Sequence, residues 1–310
     1  MQTPDHRPVA WLPAEATDHL DPSAFPLIEV EPYQHTDRLP RFPDRVEVYV
    51  LPYPFRSASL AALDRLPRLR VVQALYAGVD QFVDTVPARL RLHSAPVLHT
   101  EPTAETALTL LLALLNGVPA WVDAQRARTW STPPPRARLA GRTVGVVGYG
   151  RIGQAVARML TGFGVRVVPV ASTARDGVRP VSELVEVAAT VDALVLALPL
   201  TERTRGLVGA EVLAAMRPGA VLVNVGRGPV VDTQALLPQL ASGRLLAGLD
   251  VVDPEPLPEQ HPLWDCPGVL ISPHVGGVAA DLWERAGVFL TEQLARYAAG
   301  QPLLHPVGRG

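Results

Sequence analysis

A glycine-rich segment is the first place in this sequence where residue type and spacing indicate chemistry. The apolar run Thr143–Val147 is followed by a GxGxxG motif and then by a helical pattern. The motif is Gly148-Tyr149-Gly150-Arg151-Ile152-Gly153. Gly148 permits a tight turn, Gly150 lets the backbone approach a phosphate, and Gly153 lets the helix pack on the strand. Because helix N-termini bind phosphates, residues 148–153 are predicted to hold the pyrophosphate of a dinucleotide.

The residues after the second strand of this region bear on which dinucleotide binds. A site that prefers NAD needs an Asp or Glu about 20 residues beyond the glycines, where it binds the ribose 2′-hydroxyl. After the run Val165–Val170 the first carboxylate is Asp176, several residues late. Ser172 and Thr173 can hydrogen-bond a 2′-phosphate, and Arg175 can pair with it. We therefore predict NADP as the preferred cofactor, with NAD also possible; a loop that accepts either is the alternative.

Three later segments carry polar residues that packing alone does not explain. Each begins at or near the carboxyl end of a predicted parallel strand, the edge where open α/β sheets bind ligands. They are residues 224–232 (NVGRGPVVD), 248–257 (GLDVVDPEPL) and 272–277 (SPHVGG). Together they place Arg227, Glu255 and His274 where one small molecule would meet all three. The alternatives are a surface ion pair for Arg227, a loop carboxylate for Glu255, and a surface or core histidine for His274.

An alternation of strands and helices must position these residues. Six continuous apolar runs follow Gly141, as is typical of parallel strands covered by helices on both faces. The runs are Thr143–Val147, Val165–Val170, Ala193–Leu198, Ala220–Val225, Leu246–Val251 and Val269–Ser272. Helical stretches separate several of them. The pattern predicts an α/β fold with a doubly wound, Rossmann-type dinucleotide-binding domain over residues 97–283.

The remaining residues predict a second, smaller α/β domain. Strand-like runs occur at Val46–Leu51, Arg70–Leu75 and Val97–Thr100, with a helix predicted at Ser57–Leu66. We assign residues 1–96 and 284–310 to a flavodoxin-like substrate domain. The chain would then cross between domains twice, and the cleft between them is the expected ligand site.

One predicted helix is unusually apolar. In the helix Glu101–Asn116, the stretch Ala107–Leu115 is nearly all apolar. Such a helix is buried, either in the core or at a subunit interface. The segment Ser131–Arg138 is predicted to be an extended linker.

Composition excludes several classes of function. The 310 residues carry 28 basic and 30 acidic side chains, and every basic residue is Arg, so mechanisms that need a lysine are excluded. No basic run indicates nucleic-acid binding. The single cysteine, Cys266, excludes an internal disulfide and a cysteine metal cluster, and we expect no metal. The longest apolar stretch is about half of a membrane span, and no signal peptide is evident. We therefore expect a cytoplasmic protein without membrane contact.

Taken together, these motifs resemble the D-isomer-specific 2-hydroxyacid dehydrogenase family. The resemblance extends from about Val71 onward. It includes residues 75–80 (LYAGVD), 148–153, 199–201 (PLT) before Thr204, 224–232, the DxxxPEPL pattern at 250–257, and 272–274 (SPH). It implies an NAD(P)-dependent enzyme acting on a small 2-keto or 2-hydroxy acid, such as glyoxylate or hydroxypyruvate. A phosphoglycerate-dehydrogenase-like enzyme and a dinucleotide-sensing corepressor-type protein on the same fold are the alternatives.

The resemblance also implies roles for single residues. Arg227 would bind the substrate carboxylate and keto oxygen, His274 would exchange a proton with the substrate, and Glu255 would orient His274 and raise its pKa. The substrate carboxylate would also meet a cradle of backbone N–H groups, those of Tyr76, Ala77, Gly78 and Val79. Tyr76 is alternatively only a packed aromatic.

Further cofactor contacts and the oligomeric state are carried over in the same way. Asp250 would contact the nicotinamide amide, with Thr103 and Thr201 as weaker contacts. The other expected cofactor-binding residues are Leu198, Pro199, Thr204, Val225, Gly226, His274 and Gly276. A homodimer is expected through Ala107–Leu115 and the following segment Trp121–Trp130.

Overall fold

The computed structural model describes residues 7–80, 82–130 and 136–308. Within those residues the chain forms twelve strands and eight α-helices. The strands are β1 (Val9–Pro13), β2 (Glu29–Tyr33), β3 (Val46–Val50), β4 (Val71–Gln73), β5 (Arg91–His93), β6 (Thr143–Val147), β7 (Arg166–Ala171), β8 (Arg179–Pro180), β9 (Ala193–Leu196), β10 (Ala220–Asn224), β11 (Leu245–Leu249) and β12 (Val269–Ile271). The helices are α1 (Ala14–Thr17), α2 (Thr100–Asn116), α3 (Val118–Arg126), α4 (Arg151–Thr161), α5 (Leu184–Thr190), α6 (Ala210–Ala215), α7 (Thr233–Ala241) and α8 (Leu282–Ala298). The predicted linker falls mostly on residues 131–135, outside the described residues.

The described chain divides into two compact units. Unit 1 contains the residues up to His99 and those from Ala279 onward, and unit 2 contains Thr100–Val278. The predicted domain boundaries lie at 96/97 and 283/284. That the two units are separate functional domains stays a prediction.

Unit 2 is built on a seven-stranded sheet with the strand order β12-β11-β10-β9-β6-β7-β8. All neighbouring strands are parallel. The chain runs outward from β6 in one direction and then returns to continue from β9 in the other, which is the doubly wound Rossmann order. The predicted fold class is therefore confirmed. The switch in direction lies between β6 and β9, where such sheets bind ligands.

The apolar helix α2 belongs to the core of unit 2. Its residues Ala107, Leu111 and Leu114 pack with Val146 and Val223 of the central strands. The helix approaches β11 so closely that a Cβ atom on Gly248 would lie 2.8 Å from Cβ of Leu110. The sequence predicts this helix to be buried either in the core or at a subunit interface, and its position in the core of unit 2 accounts for its apolar face.

Unit 1 is built on five parallel strands in the order β2-β1-β3-β4-β5. This is the flavodoxin-like order, as predicted. The strands β1 and β2 escaped prediction because the proline-rich N-terminal region has weak periodicity.

One predicted strand in unit 1 is wrong. Pro96–Leu98 forms a 3₁₀-helix and Thr100 begins α2, so Val97–Thr100 is not a strand. The edge strand is instead β5, whose three residues include the exposed Arg91 and give no apolar run. The predicted helix at residues 57–66 is a 3₁₀-helix over Ser57–Arg65.

Across the described residues, no single helix has the length and hydropathy needed to cross a bilayer. One bent pair, α2 with α3, passes that test only when the two helices are taken together.

Candidate active site

The glycine turn between β6 and α4 has the form that the sequence predicts. Gly148 has φ 95°, and a Cβ atom there would lie 2.5 Å from the carbonyl oxygen of Ala197. A Cβ atom on Gly153 would lie 2.1 Å from the carbonyl oxygen of Gly148. On Gly150 a Cβ atom would meet no protein atom within 4 Å, and no side chain caps α4. Two glycines are thus required by the fold, while Gly150 leaves open space at a helix N-terminus, which fits a dinucleotide pyrophosphate.

The loop after β7 lies beside this turn. The Arg175 guanidinium donates from Nη2 to the carbonyl oxygen of Tyr149 at 2.9 Å, and its Cζ lies 5.9 Å from the centre of the Tyr149 ring. Ser172 and Thr173 are exposed on the same loop. A cation and two hydroxyls therefore lie next to the glycine turn, as the predicted recognition of a 2′-phosphate requires. Their contact with a phosphate stays a prediction.

The loop after β9 packs against both the glycine turn and the turn after β10. A Cβ atom on Gly226 would lie 2.6 Å from the carbonyl oxygen of Leu198, and a Cβ atom on Gly148 would lie 3.0 Å from Cδ2 of the same leucine. The Thr204 hydroxyl donates to the carbonyl oxygen of Pro199 at 2.7 Å and accepts from the N–H of Thr201 at 2.8 Å. Thr204 thus shapes this loop, and its predicted cofactor contact stays untested.

The turn after β10 carries Arg227. Its Nη1 donates to the carbonyl oxygen of Gly226 at 2.8 Å. The buried side chain of Asn224 accepts from the N–H of Gly226 at 3.0 Å and donates to the carbonyl oxygen of Arg227 at 3.0 Å. A Cβ atom on Gly228 would lie 1.8 Å from the carbonyl oxygen of Val252, so this turn packs tightly against the segment that leads to Glu255.

Asn224 is not among the residues whose roles the sequence predicts. The available signal is its position at a strand end with a glycine two residues later, a spacing at which Asn side chains bond the backbone.

His274 and Glu255 form a direct pair. The Nδ1 of His274 is 2.5 Å from Oε1 of Glu255, with the two side chains 39% and 35% exposed. Mainly because this hydrogen bond favours the protonated ring, the pKa of His274 is raised above its ordinary value of 6.5. Partial burial and the Arg227 charge oppose the increase, and the Glu255 and Asp250 charges support it. The structure thus brings the Glu255 carboxylate to the imidazole, in the geometry expected for an orienting pair.

A buried carboxylate holds the backbone of His274, which has φ 53°. This left-handed conformation costs a non-glycine residue about 1–3 kcal/mol. The Asp250 backbone carbonyl accepts from the N–H of His274 at 2.8 Å. Its carboxylate, 3% exposed, accepts from the hydroxyl of Ser272 and the N–H groups of Val275 and Gly276 at 2.7–3.1 Å. Asp250 therefore stabilises the His274 loop, and its predicted nicotinamide contact stays a prediction.

The remaining predicted binding residues are Thr103 and Val225 for the cofactor and residues 76–79 for the substrate. Thr103 is buried on α2, and Val225 is buried directly after β10. In unit 1, Tyr76 packs in an aromatic cluster, with its ring centre 4.8 Å from that of Tyr53. Residues 76–79 are all partly exposed. Their assignment to a substrate carboxylate, and that of Thr103 and Val225 to the cofactor, stays a prediction.

Among the residues with described positions, no group of three or more His, Cys, Asp or Glu side chains could hold a metal ion.

Known proteins resemble this chain along most of its length. Residues 108–276 match the family model described as "D-isomer specific 2-hydroxyacid dehydrogenase, NAD binding domain". Glyoxylate/hydroxypyruvate reductase B of Yersinia enterocolitica is 38% identical over 230 residues, which are 70% of each protein. D-3-phosphoglycerate dehydrogenase of Mycobacterium tuberculosis is 37% identical over 245 residues, 76% of this chain, so the match spans only 46% of that relative. The crystal structure of an NADPH-dependent glyoxylate/hydroxypyruvate reductase from Sinorhizobium meliloti, in complex with citrate, has a TM-score of 0.80 and 31% identity, covering 97% of this chain and 98% of that chain.

Proposed function

This chain belongs to the D-isomer-specific 2-hydroxyacid dehydrogenase family and is one of its oxidoreductases, and we propose that it reduces a small 2-keto acid, such as glyoxylate or hydroxypyruvate, with NADPH preferred over NADH. The observation that carries the proposal is the pair of His274 and Glu255 in the same sheet-edge region as Arg227. The strands that lead to these residues belong to the sheet whose first turn is the glycine turn at residues 148–153. The proposal therefore puts a proton donor and a cation at the edge where sheets of this order bind ligands.

His274 is the proton donor in this proposal. Its Nδ1 is engaged by Glu255, so Nε2 gives its proton to the developing alkoxide of the substrate. The raised pKa of His274 keeps the ring protonated closer to neutral pH. In the reverse direction the neutral ring takes the proton of the 2-hydroxyl group. A bound NADPH supplies the hydride that adds to the carbonyl carbon.

Arg227 binds the substrate carboxylate and the keto oxygen. Its guanidinium presents a rigid fork of donors, and the contact with the Gly226 carbonyl fixes the orientation of that fork. The backbone N–H groups of residues 76–79 are proposed as further donors to the carboxylate, in line with the family resemblance.

The preference for NADPH rests on the loop after β7. Arg175 lies against Tyr149 of the glycine turn, and Ser172 and Thr173 are exposed next to it. The solved Sinorhizobium meliloti relative is described as NADPH-dependent, which supports the same preference.

A kinetic panel tests the function. We expect NADPH oxidation with glyoxylate and hydroxypyruvate to exceed that with pyruvate, a bulky branched 2-keto acid or 3-phosphohydroxypyruvate. A kcat/KM at least about tenfold higher with NADH, equivalent to about 1.4 kcal/mol, overturns the cofactor preference. If 3-phosphohydroxypyruvate is the best substrate, the enzyme acts like the phosphoglycerate dehydrogenases. Tight NADPH binding without turnover of any 2-keto acid indicates a binding protein.

The control for the panel is His274→Ala. Loss of a general acid typically costs about 10²- to 10⁴-fold, so kcat should fall by that amount while NADPH binding is retained. Turnover close to that of the wild type removes His274 from the mechanism.

We also propose a homodimer that uses the surface of α3 and the residues after it. Trp121 and Val122 are each 38% exposed and Trp130 is 102% exposed, although large apolar side chains are usually covered. The apolar face of α2 is used in the core of unit 2, so the proposed contact is now limited to the Trp121–Trp130 segment.

A further inference from the structure

We propose that Asn224 is a positioning residue that acts on the substrate through Arg227. Its side-chain amide fixes the turn from which the guanidinium extends. The expected effects on kcat/KM rest on the function proposed above. The hydrogen bonds that Asn224 makes to the turn do not depend on that function.

Asn224 is 1% exposed and is the last residue of β10. Its Oδ1 accepts the N–H of Gly226, and its Nδ2 donates to the carbonyl oxygen of Arg227, both at 3.0 Å. Its backbone carbonyl accepts the N–H of Asp250 at 3.0 Å and so continues the hydrogen bonding between β10 and β11. One side chain therefore holds two backbone groups of the turn, the N–H of Gly226 and the carbonyl of Arg227, at the end of a central strand.

The same turn supports the guanidinium. The carbonyl oxygen of Gly226 accepts from Nη1 of Arg227 at 2.8 Å. The N–H group of this same residue is the one that the Asn224 side chain holds. If Gly226 rotates, the carbonyl that orients the guanidinium moves with it. The amide of Asn224 is thus linked to the direction in which Arg227 presents its donors.

The chemistry requires an amide at this position. The Asn224 side chain meets the N–H of Gly226 and the carbonyl oxygen of Arg227, and an Asn side chain has the complementary acceptor and donor. The Arg227 carbonyl also accepts from the N–H of Val230 at 3.2 Å, a bond that does not involve Asn224. An aspartate accepts from Gly226 but has no N–H to give to Arg227. An alanine leaves both backbone groups without this partner. Neighbouring backbone restricts any rearrangement, because the carbonyl oxygens of Leu198 and Val252 crowd the positions of residues 226 and 228.

The test compares Asn224→Ala and Asn224→Asp with the wild type for a 2-keto acid that the wild type reduces. Misplacement of a catalytic group by about 1 Å can cost about 100-fold, so we expect kcat/KM to fall about 10- to 100-fold in both variants. The pH midpoint of kcat/KM should change little, because the pair of His274 and Glu255, the main cause of the raised pKa of His274, is not changed.

A double-mutant cycle with Arg227→Gln separates positioning from a general structural role. If Asn224 acts through Arg227, then Asn224→Ala added to Arg227→Gln should change kcat/KM by no more than about twofold. The matched control is Val223→Ala, which truncates a fully buried neighbour on the same strand and leaves the turn's hydrogen bonds in place. It should lower the melting temperature, but kcat/KM should stay within about twofold of the wild type.

Hydrogen exchange of the protein without cofactor tests the structural part independently. In Asn224→Ala the amide of Gly226 should exchange faster, while the amides of the glycine turn at residues 148–153 keep their rates. If Asn224→Ala does not fold, Asn224→Asp supplies the kinetic readouts. Wild-type kcat/KM in both variants, or an equal loss with and without Arg227, overturns the inference. A wild type that reduces no 2-keto acid overturns the proposed function instead, and the Gly226 exchange rate still decides the role of the amide.

Discussion

Two glycine-to-alanine substitutions in the dinucleotide turn should have opposite effects on folding and on binding. Gly148→Ala and Gly150→Ala add the same methyl group two residues apart. At Gly148 the added Cβ would lie 2.5 Å from the carbonyl oxygen of Ala197, in a backbone conformation with φ 95°. At Gly150 it would meet no protein atom within 4 Å, and the backbone is extended, with φ −85°.

The magnitudes follow from these positions. For Gly148→Ala, a positive φ costs about 1–3 kcal/mol and forced overpacking costs about 1–3 kcal/mol, so about 4 kcal/mol is expected. For a unit the size of unit 2, each kcal/mol lowers the melting temperature by roughly 2–4 °C, which gives roughly 8–16 °C. For Gly150→Ala the loss of a tolerated N-cap residue costs at most about 1 kcal/mol, or roughly 2–4 °C. The Gly150 methyl group would instead occupy the space left for the pyrophosphate, so NADPH affinity should fall about tenfold or more.

The assay is thermal unfolding without cofactor together with calorimetric titration of NADPH. Gly141→Ala is the matched control, because Gly141 has φ 77° but a Cβ atom there meets nothing within 4 Å. It should show the conformational cost of about 1–3 kcal/mol without the clash. If Gly148→Ala melts no lower than Gly141→Ala, the clash with the Ala197 carbonyl does not destabilise the fold. If Gly150→Ala binds NADPH as tightly as the wild type, the pyrophosphate does not occupy the space at Gly150.

Three further substitutions test the electrostatics and the surface of unit 2. In the proposed mechanism, reduction needs the protonated ring of His274, so kcat/KM should fall as the pH rises through the raised pKa of His274. In Glu255→Gln the main cause of the raised pKa is gone, and the fall in kcat/KM should move to lower pH; an unchanged midpoint contradicts the pairing. Arg175→Ala should remove the proposed charge-assisted contact with the 2′-phosphate, worth about 1.5–3 kcal/mol. NADPH should then bind about tenfold or more weakly in calorimetry with NADH little affected, and equal losses for both cofactors disprove selective recognition. We expect light scattering to show a dimer for the wild type and a monomer for Trp130→Glu at the same concentration. A variant that stays dimeric places the interface elsewhere, and a monomeric wild type contradicts the proposed homodimer.

The fold could be predicted from the sequence where local pattern and tertiary role coincide. The six apolar runs of unit 2 all appear as strands within a few residues of their predicted limits, because buried parallel strands are apolar throughout. In unit 1 the pattern fails at β5, which is short and begins with an exposed Arg91, and at Pro96–Leu98, where an apolar run forms a 3₁₀-helix instead. Burial of such short segments is decided by the neighbouring strands and not by their own periodicity.

The candidate site shows a similar division. Residue type and spacing indicate Arg227, Glu255 and His274, because their side chains supply the chemistry. They do not indicate that Asn224 and Asp250 support them, since those two residues bond mainly to backbone groups whose directions depend on the folded turns. The left-handed backbone of His274 is likewise invisible in the sequence, because it results from contacts with another strand.

The positions of Arg227 and His274 relative to each other are set by the sheet. In the parallel register, Asn224 lies beside Leu249, and Leu249 lies beside Ile271. The hydrogen bonding then continues past the strand ends, from the N–H of Asp250 to the Asn224 carbonyl and from the N–H of His274 to the Asp250 carbonyl. Each loop therefore starts from a backbone that is already fixed by its neighbour. Because a group held in place before the reaction needs no reorganisation when charge develops, this continuation of the sheet is the physical basis for the catalytic roles proposed for the two side chains.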